Sequence, residues 1–317
     1  MSIIFAGTPG FAVPSLAALH RAGHAPAVVV TQPDRPRGRG RKLEPPPVKA
    51  EALRLGLRVE QPERFSASAF LEVLRPLELE LLVVVAYGQI LKPRALDLFP
   101  KGCINLHPSL LPKLRGAAPV NWAILNGDTV TGITTFFLNE RMDAGDIILQ
   151  ESVDIGADET AGELSARLAE EGADLLVRTV ELALEGRAAR IAQDDARVTL
   201  APRLQKSEGE VDWTAGARAV RGRIMGTNPW PGARTARRGV PVLLWRARVW
   251  EEAGSHPAGV VQDIREEGVV LGCGIGSVLI TEVQPSGKRR MPGGDFARGY
   301  RVVAGERWGP DAPGPGG

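Results

Sequence analysis

Three continuous apolar runs mark the first hundred residues: Ile3-Ile4-Phe5-Ala6-Gly7, Ala27-Val28-Val29-Val30-Thr31 and Leu81-Leu82-Val83-Val84-Val85. Runs without polar alternation are how strands covered on both faces read. Ser15 to Ala22, Val48 to Leu55 and Ala67 to Leu74 place apolar residues at helical spacing between them. The order strand, helix, strand, helix predicts an α/β fold with a doubly wound, mostly parallel sheet. Cys103 to His107, Gly132 to Leu138 and Ile147 to Ile155 predict further strands. Thr160-Ala161-Gly162-Glu163 has capping-box spacing and opens a long amphipathic helix through Leu164, Leu168, Leu175, Leu176, Val180 and Leu184 to Gly186.

Residues 187–210 are polar and lose periodicity, which predicts a linker. Beyond Trp213 a short helix at Ala217 to Met225 precedes Pro229-Trp230-Pro231-Gly232. Short alternating runs follow at Val240 to Val249, Gly259 to Ile264, Gly268 to Gly272 and Ser277 to Val283. Short strands at even spacing with glycine turns predict a small β-barrel. The expected organisation is therefore a first domain over 1–189, a linker over 190–207, a β-barrel domain over 208–308 and a disordered tail over 309–317.

Composition narrows the setting. The 317 residues suffice for two domains, and 44% hydrophobic with 24% charged residues is an ordinary globular balance. No apolar run approaches the roughly 20 residues that span a bilayer, and the first residues lack a signal-peptide pattern, so no membrane association and a cytoplasmic location are expected. Cys103 and Cys273 stand apart without histidine clusters, implying neither disulfides nor a metal. The net charge of +2 conceals an asymmetry: residues 1–202 carry 22 basic and 25 acidic side chains, the remainder 17 and 12.

Candidate chemistry concentrates in Asn105-Leu106-His107-Pro108-Ser109-Leu110-Leu111-Pro112, with Arg115-Gly116 and Asp143-Ala144-Gly145-Asp146. On a strand, Asn105 and His107 leave by one face. A carboxamide and an imidazole can then donate to a developing oxyanion while a carboxylate orients the imidazole or accepts a proton, which suits transfer of a carbonyl carbon. One of Asp143 and Asp146 is expected to be structural. Ser109 lacks the setting of a nucleophile and reads as a loop hydrogen-bonder. Gly7-Thr8-Pro9-Gly10 is not a dinucleotide fingerprint.

Arg35, Arg37, Arg39, Arg41 and Lys42 place five cations in eight residues among prolines and glycines. No core is built from such a segment. It follows the second strand, on the ligand-binding side of a parallel sheet, and suits phosphate contacts without base stacking. Val84 to Leu91 ends a strand and turns at Gly88, which reads either as a plain strand-to-loop junction or as an edge offering Ile90 and Leu91 to a flat ring.

Together these segments, with Glu208 to Trp213 and Asn228-Pro229-Trp230-Pro231-Gly232, resemble the folate-dependent formyltransferases over most of the chain, from Ile3 to about Val283. The resemblance implies a Rossmann-like formyltransferase domain followed by a smaller OB-like β-barrel. It implies Asn105, His107 and Asp143 as the catalytic trio, choosing Asp143 over Asp146, and 10-formyltetrahydrofolate as formyl donor. The donor is implied to lie near Tyr87, Gly88, Gln89, Ile90 and Leu91, with Ser109, Leu110, Leu111 and Pro112 beside it. The basic segment, Arg39 above all, is implied to grip the acceptor end of initiator methionyl-tRNA, and a monomer is expected. Gly10 stands where the family commonly has Asp.

A formyltransferase for a nucleotide-linked amino sugar is the nearest alternative, and the five cations discriminate against it. A glycinamide formyltransferase would leave the last hundred residues unexplained; a formate-releasing hydrolase shares the donor. A noncatalytic tRNA-binding protein has no use for the intact trio.

Overall fold

The apolar runs become the centre of a seven-stranded sheet. The structure, a computed structural model, describes residues 2–37 and 42–309. Arg39, Arg41 and the expected tail beyond Gly309 lie outside the described residues, as do the side chains of Arg37 and Lys42. The chain divides into two compact units: Met1–Ala117, Thr131–Val153 and Ser165–Ala201 form one; Ala118–Val130, Asp154–Leu164 and Pro202–Gly317 form the other.

In the first unit the strands are β1 (Ser2–Gly7), β2 (Val28–Val30), β3 (Arg35–Arg37), β4 (Lys42–Glu44), β5 (Val59–Glu60), β6 (Leu79–Val85), β7 (Cys103–His107), β8 (Arg115–Gly116), β9 (Val130–Phe137), β10 (Ile147–Asp154) and β11 (Leu200–Ala201). The main sheet runs β10-β9-β7-β6-β1-β2-β5. Strands β1, β2, β5, β6 and β7 pair in parallel, with Phe5 between Val29 and Val83, and β9 joins β7 antiparallel. Ile4, Phe5, Val29 and Val83 are fully buried, as strands covered on both faces require. Helices α1 (Val13–Arg21), α2 (Pro47–Arg54), α3 (Ser68–Leu74) and α4 (Pro93–Leu96) belong to this unit.

Strand order reverses at β1: β2 lies on one side of it and β6 on the other. A crevice at the carboxyl ends of β1 and β6 is the ligand position such sheets offer. Gly7 ends β1 there, and a Cβ on it would lie 2.8 Å from the Phe5 ring and 2.9 Å from Ala12 Cβ, so only glycine lets the turn into α1 pack this closely. Thr8 Oγ1 donates to the Tyr87 carbonyl at 3.0 Å, tying the ends of β1 and β6 together.

The long helix is α6 (Ala161–Leu184), after α5 (Pro119–Leu125). The capping box is formed: Glu163 Oε2 accepts from Thr160 N at 3.0 Å, and Glu163 N donates to Thr160 Oγ1 at 3.3 Å. Leu168, Leu175, Leu176 and Val180 are buried along the helix.

The second unit is an antiparallel sheet in the order β12 (Ala233–Arg237), β13 (Val240–Glu251), β16 (Ser277–Pro285), β15 (Val269–Gly272), β14 (Val261–Ile264), with β17 (Met291–Pro292) beside β16. Residues 305–309 close it into a barrel. Trp308 bridges Arg237 at the end of β12, while Arg307 bridges Val260 just before β14. Gly259 has φ +70, and a Cβ there would lie 2.4 Å from the Trp308 carbonyl, so the closing segment needs glycine at that point. Trp213, Ile224, Leu244, Ile280, Phe296 and Trp308 share the core with α7 (Ala217–Gly226), and α8 (Gly293–Gly299) follows β17.

Candidate active site

Asn105 and His107 leave one face of β7, two residues and about 7 Å apart. The strand lies between β6 and β9, with Asn105 opposite Val84 and Phe136 and His107 opposite Thr134. Cys103, earlier on that face, belongs to the apolar core with Phe99. Burial, with Asp97 nearby, pushes its thiol up to about 12, which removes it as a nucleophile. The face thus changes from apolar to polar as it reaches the crevice. Among the described residues nothing hydrogen-bonds the half-buried Asn105 carboxamide, which leaves its N–H groups free to donate.

The segment after β7 is tied down bond by bond. Ser109 Oγ donates to the Lys113 carbonyl at 2.7 Å, so the hydroxyl serves its own loop. Thr134 Oγ1 donates to the Ser109 carbonyl at 2.6 Å and accepts from Leu111 N at 3.2 Å and Gln150 Nε2 at 2.8 Å. Leu114, left-handed at φ +58, presents its carbonyl to His107 Nε2 at 3.0 Å. A carbonyl only accepts, so that bond places a proton on Nε2 and leaves Nδ1 as the face toward Asp143.

Asp143 Oδ2 lies 3.8 Å from His107 Nδ1, too far for a hydrogen bond and close enough for charge to act. The same oxygen accepts from Gly116 N at 2.8 Å. Asp143 is itself left-handed at φ +50. Gly145 lets this loop lie against β9, because a Cβ there would stand 1.6 Å from the Phe137 carbonyl. Asp146 faces Arg190 at 3.7 Å and its carbonyl accepts from Phe137 N, which is a structural role.

Residues after α6 complete the site. Gln193 Nε2 donates to the carbonyls of Asp143 (2.9 Å) and Gly145 (2.8 Å), while Arg115 Nη2 donates to Gln193 Oε1 (2.8 Å) and to Asp195 Oδ1 (3.1 Å). Arg141 holds the other Asp195 oxygen at 3.0 Å, and the two guanidinium groups keep this carboxyl below its usual range. Strand β11 pairs with β8, and Thr199 Oγ1 accepts from Leu114 N at 2.9 Å. Sequence reasoning missed Gln193, Asp195 and Thr199, because a polar stretch without periodicity carries no local sign of partners 48 to 85 residues away.

The residues expected around the donor divide by exposure. Tyr87 and Leu91 are core residues, and the Tyr87 ring meets Phe65 edge-on with centroids 5.8 Å apart. Its hydroxyl is buried without a partner among the described residues, and burial pushes its pKa up. Gln89 uses its carboxamide locally, accepting from Phe65 N and donating to the Glu63 carbonyl, each at 2.9 Å. Gly88 makes the turn at φ +87 and Ile90 is 83% exposed. Leu111 and Pro112 are buried, Leu110 half-buried. This edge offers a ring system an apolar surface at Ile90 and turn backbone beside it, which fits a flat, weakly polar ligand.

The basic segment is a hairpin at its base: β3 pairs antiparallel with β4, Arg35 opposite Glu44 and Arg37 opposite Lys42. Arg35 is exposed. Asp34 anchors the entry, accepting from Lys49 at 2.7 Å and Gln61 at 2.7 Å, and these bonds lower its pKa. Among the described residues no group of three or more His, Cys, Asp or Glu is placed to hold a metal ion.

The formyl transferase family model matches residues 1–180, and the formyl transferase C-terminal domain matches residues 203–301. A methionyl-tRNA formyltransferase of Moorella thermoacetica is 50% identical over 96% of this chain and 98% of its own length. One of Solibacter usitatus is 46% identical over 98% and 99%. Among solved structures, an N-formyltransferase of Helicobacter canadensis in complex with folinic acid and dTDP-3-aminofucose superposes with a TM-score of 0.67 at 16% identity, covering 90% of this chain and 99% of that one. HypX from Aquifex aeolicus in complex with tetrahydrofolic acid gives 0.61 at 18%, covering 96% and 48%. With an Asn and a His on β7 met by an Asp from the loop after β9, and both family domains matched in order, this chain belongs to the formyl transferase family.

Proposed function

We propose that this chain transfers a formyl group from 10-formyltetrahydrofolate to the α-amine of methionine on initiator methionyl-tRNA, at the start of translation in the cytoplasm. The observation that carries this reading is the 50% identity to a methionyl-tRNA formyltransferase across nearly the whole of both chains. The chain acts as a monomer in this reading. Arg35, Arg37, Arg39, Arg41 and Lys42 supply positive charge for the acceptor arm, and a sugar nucleotide gives no reason for five cations there.

Catalysis is direct transfer in this reading: the amine attacks the formyl carbon, negative charge grows on the formyl oxygen, and the bond to the donor nitrogen breaks. Asn105 donates to that oxygen from its free carboxamide. His107, pinned through Nε2 by the Leu114 carbonyl, presents Nδ1 to the same region. Asp143 offsets positive charge on the imidazole and relays the proton lost by the amine, through water, to the departing donor nitrogen. No serine or cysteine intermediate is involved. The donor rests against Gly88 and Ile90, with Tyr87, Gln89 and Leu91 shaping that edge and Ser109, Leu110, Leu111 and Pro112 the loop beside it.

The test follows labelled formyl from 10-formyltetrahydrofolate to initiator methionyl-tRNA, elongator methionyl-tRNA and a UDP-amino sugar in parallel. Transfer confined to the initiator is expected. Transfer to the sugar, or release of formate with no acceptor, overturns the proposal.

A further inference from the structure

Residues 181–202 fall between the two matched family domains, yet Gln193 makes more hydrogen bonds to the Asp143 loop than Asp143 makes to His107. Its amide orientation is fixed by chemistry. Both contacts of Nε2 are to carbonyls, which only accept, and both contacts of Oε1 are to the Arg115 guanidinium, which only donates. One carbonyl belongs to the residue whose φ is +50 and the other lies two residues further on, so the amide clamps the loop at and just after its left-handed turn. Arg115 is itself buried and directly precedes Gly116, whose N–H binds Asp143 Oδ2. Gln193 thereby ties the Arg115 side chain to the Asp143 loop, beside the direct bond from Gly116 N to Asp143 and the bridge of Asp195 between Arg115 and Arg141.

We infer that Gln193 is a positioning residue that sets the distance between the Asp143 carboxylate and His107 Nδ1. This inference rests on the transfer reading for its kinetic consequence, but its structural part does not. Gln193→Glu is the informative change. Its carboxylate keeps, and charges, the contact to Arg115, but turns an acceptor onto the carbonyls of Asp143 and Gly145. The loop then moves while the brace to Arg115 survives, and a displacement near 1 Å costs on the order of 100-fold in rate.

The experiment has two arms on the full-length protein. Steady-state kinetics of Gln193→Glu, Asp143→Asn and the double variant should show kcat of Gln193→Glu reduced ~10- to 100-fold with both KM values within about twofold. The double variant should be no slower than Asp143→Asn, because Gln193 acts through that carboxylate. Hydrogen exchange at the Gly116 amide reads the same bond without turnover and should be faster in Gln193→Glu. Unchanged kcat, losses that multiply in the double variant, or unchanged Gly116 exchange would each overturn the inference. If the unaltered protein formylates no tRNA while the variant accelerates Gly116 exchange, the functional reading fails and the positioning role stands.

Discussion

Replacing Thr134 with valine isolates the bonds that hold the loop after β7. Threonine and valine have the same shape, so no cavity forms, and Thr134 is fully buried. The change removes a 2.6 Å bond to the Ser109 carbonyl and a 3.2 Å bond from Leu111 N. Gln150 Nε2 loses Thr134 but keeps the Leu111 carbonyl at 3.0 Å. A buried group left unpaired costs about 1–3 kcal/mol, with the longer Leu111 bond at the low end, so the expected loss is ~2–4 kcal/mol. Native-state hydrogen exchange at the amides of β7 and β9 reads this in the first unit alone, and protection should fall roughly 30- to 1,000-fold, since 1.4 kcal/mol is a factor of ten. If the loop instead swings out to find water, protection is kept but kcat falls, because His107 heads that loop. Protection within about threefold of the unaltered protein together with an unchanged kcat would refute the reasoning.

Asn105→Ala removes the donor that the proposed mechanism aims at the developing oxyanion and should lower kcat about 100- to 1,000-fold with little change in KM, measured with saturating donor. Glu306→Ala strands Arg237, both being 8% exposed, and should destabilise the barrel by about 3–5 kcal/mol. Tryptophan fluorescence suits that measurement because all six tryptophans lie in the second unit. Asp34 has a lowered pKa through Lys49 first and Gln61 second, so the stability it adds is complete above the ordinary aspartate range and is lost as pH falls through the lowered value. NMR titration should place its midpoint below 3.8, and Asp34→Asn should abolish that part of the acid dependence. Arg39→Ala should weaken binding of initiator tRNA and reduce the slope of log affinity against log salt by about 1, with donor binding unchanged in a separate titration.

The interior strands were legible because a strand covered on both faces has no choice but an apolar run, as Ile3 to Gly7 and Leu81 to Val85 show. The start of α6 was legible because a capping box is local chemistry between Thr160 and Glu163. Asn105 and His107 could be placed on one face from strand period alone. The hairpin of β3 and β4 could not, since Arg35-Pro36-Arg37 carries the residues of a solvated loop and pairs only through its backbone. Strands β8 and β11 are two residues each, too short for any periodicity, and their pairing spans 85 positions. Pro119 opens α5 at its first turn, a signal present in the sequence but masked by the loop-like Gly-Ala-Ala-Pro before it. Gln193 gives no sign of its role, because its partners are main-chain carbonyls that any residue type could provide.

The way residues 305–309 close the second unit has a consequence for synthesis. The five strands from β12 to β14 in the sheet order are complete once β16 has left the ribosome, but the segment that joins the two outer strands comes last. Until translation passes Gly309, whose N–H reaches the Ala236 carbonyl, β14 and the end of β12 beyond its bridge to Glu210 present unpaired backbone. Unpaired edges template association between chains. A messenger truncated just before the codons for residues 305–309 would therefore yield a protein in which Asn105, His107 and Asp143 are all present and the nascent barrel is an open sheet seeking a partner.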